Sequence, residues 1–68
     1  MNKNLLRYYM ALNGDTNREL AEYLKISLQS LSAKINENGS EFKQGEIAKI
    51  KKKYKLTAEE IEAIFFAQ

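Results

Sequence analysis

The chain has 68 residues, with eleven Lys or Arg against nine Asp or Glu and a formal charge of +2. It has no cysteine, histidine or proline, which excludes disulfides, thiolate metal sites and the commonest general base. A chain this short buries only about 60% of its unfolded surface, so a single small, regular core is expected.

Apolar residues recur at helical rather than alternating spacing, which predicts an all-α domain. Charge is uneven: residues 1–26 sum to +1 (four basic, three acidic), residues 27–53 to +3 (six, three) and residues 54–68 to −2 (one, three). No apolar run approaches the roughly 18 residues of a membrane span, and no signal-peptide pattern opens the chain, so a soluble intracellular protein without a membrane partner is expected.

A first helix is predicted from about Asn4 to Leu12, burying Leu5, Leu6, Tyr9 and Met10 and stopped by Asn13-Gly14. Thr16-Asn17-Arg18-Glu19 matches a capping box and starts a second helix with Leu20, Ala21 and Leu24 inward. Lys25-Ile26-Ser27 breaks it, and Ser27 caps a third helix that ends near Asn36 and buries Leu31 and Ile35. A polar loop follows, with Gly39 as its positive-φ residue and Phe42 as its anchor to the core. The fourth helix runs from Lys43 or Gln44 to Tyr54 over Ile47 and Ile50. Thr57 and Glu60 then box the start of a fifth helix carrying Ile61, Ile64 and Phe65. One domain, residues 1–68, accounts for the chain.

Two short helices joined by a three-residue turn suggest a helix-turn-helix over about residues 16–36. Leu20 and Leu24 face inward, small Ala21 sits at the crossing, Ile26 plugs the turn, and Leu31 and Ile35 hold the second helix down. A plain helical corner has the same buried pattern.

With its flanks the motif is more specific. Thr16, Ala21, Ser27, Lys34-Ile35-Asn36 before Gly39, Ser40-Glu41-Phe42, Glu46-Ile47, and Leu56-Thr57 with Glu60-Ile61 and Phe65-Phe66 together resemble the Cro/CI-type (lambda-repressor-like) helix-turn-helix proteins. The similarity is to the small Cro-like and repressor-like proteins of phages from low-GC Gram-positive bacteria, and it covers nearly the whole chain. It implies a compact five-helix domain, cytoplasmic in a bacterial host cell, that regulates transcription in a lysis–lysogeny-type switch. The implied partner is double-stranded operator DNA, bound by a homodimer with the third helix in the major groove. The resemblance also implies an alternative, an antirepressor or modulator of repression that binds the phage's CI-type repressor through the same exposed face.

By position, the family's docking mode points to Ser27, Leu28, Gln29, Ser32 and Ala33 as base or partner contacts. Gln29 suits adenine, the serines are permissive donors or acceptors, and Leu28 or Ala33 suits a thymine methyl. Asn17, Lys34, Asn36, Asn38, Ser40 and Lys43 fall where that family meets phosphates. Two departures stand out. Lys25 occupies a turn position that usually holds glycine, and the third helix has a single cation, Lys34, with apolar Leu28 among small polar residues. Such a face suits a protein interface as well as a phosphate-bound groove.

Lys49, Lys51, Lys52 and Lys53 read as a solvated helix end favoured by the macrodipole, with an auxiliary nucleic-acid surface as the other reading. The four tyrosines form no spaced stacking platform. Phe65 and Phe66 cannot both face the core, so one is left for a dimer or partner contact. Glu59, Glu60 and Glu62 fit a helix N-terminus, and Ser30 with Lys34 suggests no oxyanion hole. No enzyme activity, cofactor, metal or small-molecule substrate is therefore expected.

Overall fold

Side-chain oxygens start four of the five helices. In the computed structural model, which describes residues 1–66, these are α1 (Lys3–Leu12), α2 (Asn17–Leu24), α3 (Leu28–Ile35), α4 (Gln44–Tyr54) and α5 (Ala58–Phe65), with no strand among the described residues. Asn2, Thr16, Ser27 and Thr57 each accept from a backbone N–H in the first turn of the helix that follows. The boxes at Thr16–Glu19 and Thr57–Glu60 are complete. Lys43 has no acceptor to offer before α4, and the Glu46 carboxylate instead accepts from its backbone N–H at 2.8 Å.

Four helices end in the same Schellman geometry, in which a left-handed residue lets two N–H groups reach back to the last turn. Asp15 donates to Met10 and Gly14 to Ala11; Ile26 to Ala21 and Lys25 to Glu22; Asn38 to Ala33 and Glu37 to Lys34; Leu56 to Lys51 and Lys55 to Lys52. The left-handed residues have φ 69° (Gly14), 59° (Lys25), 54° (Glu37) and 54° (Lys55). Only one of the four is glycine. Gly39 is also left-handed, at φ 77°, but it lies in the loop after α3 rather than at the helix end.

The five helices share one core. Leu6 and Met10 from α1, Leu20, Ala21 and Leu24 from α2, Leu31 and Ile35 from α3, Ile50 and Tyr54 from α4, and Ile61 and Ile64 from α5 are buried together, with Leu56. The closest packing is between α2 and α3 and between α1 and α5. Expected core residues Leu5, Tyr9, Ile47 and Phe65 are only partly covered, because they lie at the rim of the small domain. Tyr9 donates its hydroxyl to Glu60 at 2.7 Å, and Phe65 meets Phe42 edge-on at 5.3 Å.

A polar clasp joins the α1–α2 turn to the end of α4. The Tyr54 hydroxyl donates to Asp15 at 2.7 Å, and Lys53 pairs with the same carboxylate at 3.2 Å while lying 4.7 Å from the Tyr23 ring centre. Burial and the Asp15 carboxylate push the Tyr54 hydroxyl well above the ordinary tyrosine value, so it stays a donor.

Non-glycine residues in left-handed backbone carry local strain. Lys55→Gly should therefore raise stability by up to about 1 kcal/mol in urea unfolding, and Gly14→Ala should lower it by about as much.

Candidate functional site

The packing of α2 against α3 decides which residues face outward. Lys25 takes the left-handed conformation expected for the glycine position, so the chain turns within three residues and Ser27 can cap α3. Leu31 and Ile35 lie inward, and Gln29, Ser32, Ala33 and Asn36 share the outward ridge at helical spacing. Leu28, at the first turn, is 45% exposed.

The outward residues differ in how free they are. Ser27 is committed to its cap: its oxygen accepts from the Ser30 N–H at 3.0 Å, and its hydroxyl donates to Ser30 Oγ at 2.9 Å. Asn36 donates its amide to the Ser32 carbonyl at 3.0 Å and accepts from Lys3 at 3.3 Å. Gln29 and Leu28 are exposed, and among the described residues the Gln29 amide has no hydrogen-bond partner in the domain. Ala33 is half-buried. Asn17 opens α2 and is exposed. Asn38, Ser40 and Lys43 lie in the segment between α3 and α4, where Asn38 and Lys43 are exposed and Ser40 is half-buried.

Lys34 requires a correction. A phosphate contact needs an outward ammonium, but Lys34 is only 7% exposed. Its Nζ donates to the Glu41 carbonyl at 3.0 Å and to Glu46 Oε1 at 3.1 Å. Glu46 is spoken for as well, since the same oxygen accepts from the Lys43 N–H. Burial pushes the Glu46 carboxyl up, but the Lys43 N–H and the Lys34 ammonium outweigh it and hold it below the ordinary value of 4.5. Lys34 follows Leu31 by three residues, at the edge of the buried stripe. That spacing was the available signal that its side chain turns inward.

With Lys34 withdrawn, α3 exposes no charged side chain. Lys34 also lines a cavity of about 240 Å³, walled by Phe42, Ile47, Phe65 and Phe66 together with Met1, Glu37 and Glu41. Phe66, 61% exposed, is the outward member of its aromatic pair. Among the described residues no group of acidic side chains is placed to hold a metal ion, and no helix is long and apolar enough to cross a membrane.

Comparisons with protein-family models, with characterised proteins and with solved structures give no match to this chain.

The Lys34–Glu46 pair has a defined pH signature. A carboxyl held below its unfolded value stabilises the fold above about pH 4.5, and that stability is lost as pH falls through the depressed value. Glu60, lowered by the Thr57 N–H and the Tyr9 hydroxyl, adds to the same acid limb. Glu46→Gln should therefore flatten, without abolishing, the fall in melting temperature below pH 4.5. Lys34→Met, which leaves a mostly buried carboxylate unpaired, should cost on the order of 2 kcal/mol at pH 7 by chemical denaturation.

Proposed function

We propose that the chain is a small regulator of the Cro/CI helix-turn-helix type, acting in a phage lysis–lysogeny-type switch. In this reading the outward face of α3 binds protein: the CI-type repressor of the switch, whose DNA binding it alters. One observation carries the choice of partner. The only cation of α3 is turned into the domain, so its exposed residues, Leu28, Gln29, Ser30 and Ser32, carry no charge, with half-buried Ala33 beside them. DNA binding draws much of its affinity from neutralised phosphates, whereas the centre of a protein interface is depleted of charge and enriched in apolar contact.

Operator DNA is the second reading, and the free amide of Gln29 on the N-terminal half of α3 favours it. Such an amide can pair with an adenine edge, with Asn17 at the start of α2 against a phosphate. That reading needs a homodimer to multiply few contacts, and exposed Phe66 is its candidate contact.

Titration of the chain against the DNA-binding domain of the switch repressor, and separately against promoter DNA, divides the two. The protein reading expects a complex formed without DNA and weakened at least about tenfold by Leu28→Asp, with the melting temperature unchanged. Site-specific binding to promoter DNA by the chain alone, with Gln29→Ala relaxing one base pair by about 1–3 kcal/mol and no complex with the repressor, would overturn it.

A further inference from the structure

Residues 49–55, KIKKKYK, hold five of the eleven cations and no acid, so the remaining residues sum to −3 (six basic, nine acidic). The C-terminus of a helix presents roughly half a negative charge, which one lysine offsets. Lys53 is absorbed by Asp15 and the Tyr23 ring. Lys49, Lys51, Lys52 and Lys55 are exposed and have no acidic partner within 4 Å among the described residues. Four unneutralised lysines within seven residues, on a chain of net +2, exceed what capping a helix needs.

The surroundings of two of them suit a rigid polyanion. Lys49 and Lys52 are three residues apart on the side of α4 opposite Ile50, in line with Gly45 and Ala48. Gly45 has open space where a Cβ would stand. The lysines therefore rise beside a low shelf that a backbone of phosphates can approach closely. A membrane surface would ask for large apolar side chains on the same face. The exposed positions of α4 are Gln44, Gly45, Ala48, Lys49, Lys51 and Lys52, none of them large and apolar, and exposed Phe66 adjoins the helix at Gln44, Ala48 and Lys51, around its axis from Lys49 and Lys52.

We infer that the lysine-bearing outer face of α4 is a second interaction surface, which binds the phosphate backbone of duplex nucleic acid without reading its sequence. It is separate from the α3 face and rests on the reading in which α3 takes a protein partner. A chain held to a repressor by α3 would thereby also hold the DNA on which that repressor acts.

The test is the salt dependence of binding to a short duplex of arbitrary sequence, using the full chain. The wild type binds at low salt, and its log–log salt slope shrinks by about 2 in the Lys49→Gln, Lys52→Gln double variant, since each lost phosphate contact removes about 0.9. The Lys49→Arg, Lys52→Arg variant keeps the slope, as do Arg7→Gln and Leu28→Asp. Four results would overturn the inference. The wild type could fail to bind the duplex at low salt, or the glutamine variant could keep the full slope. Arg7→Gln could cost as much as each lysine, which makes net charge the whole effect, or Leu28→Asp could abolish binding, which places the duplex on α3. Vesicles containing phosphatidylserine, bound where the duplex is not, would assign the surface to membranes instead.

Discussion

Between α3 and α4 the Lys34 ammonium is held by the Glu46 carboxylate and the Glu41 carbonyl, and the character of α3 follows from that grip. The pair lies where the third and fourth helices meet the connecting loop, and its carboxylate also closes the start of α4 through the Lys43 N–H. One carboxylate thus ties a helix start, a loop and the inner edge of the exposed helix together. Removing either partner would leave a desolvated charge, which costs more than the pair contributes, so the arrangement holds α3 in one place rather than adding much net stability.

Charge is sorted by this packing. The outer face of α3 is neutral, the C-terminal half of α4 is strongly basic, and the start of α5 carries Glu59 and Glu60. A neutral face of one apolar and several small side chains is suited to a dry protein contact, while unpaired lysines are suited to a hydrated polyanion. The proposed roles, repressor docking on α3 and phosphate binding on α4, divide along the same line. The formal charge of +2 conceals this division, because the acidic remainder masks the lysine run.

Much of the fold is legible in local chemistry. The Thr16 and Thr57 boxes, the Ser27 cap and the 3.6-residue spacing of the apolar positions place all five helices to within one residue or so; α1 begins at Lys3 rather than Asn4 because Asn2 caps it. The helix ends are less legible. Glu37 and Lys55 adopt left-handed backbone where the residue type gives no hint; after Lys55 the burial of Leu56 anchors the turn, whereas Asn38 after Glu37 is exposed. On α3 the sequence points to the outward ridge but not to which members are free. The Lys34–Glu46 pair spans twelve positions and the Tyr54–Asp15 clasp thirty-nine, and such separations leave no periodic trace.

The most direct test of the account follows the Lys34 ammonium and the α3 backbone amides by heteronuclear NMR during addition of the repressor's DNA-binding domain or of promoter DNA. The amides of Gln29, Ser32 and Ala33 are expected to shift with the repressor domain while the Lys34 ammonium, bound inside the chain, keeps its position in both titrations. A Lys34 ammonium that moves with DNA, together with α3 amides that answer to promoter DNA and ignore the repressor domain, would contradict it.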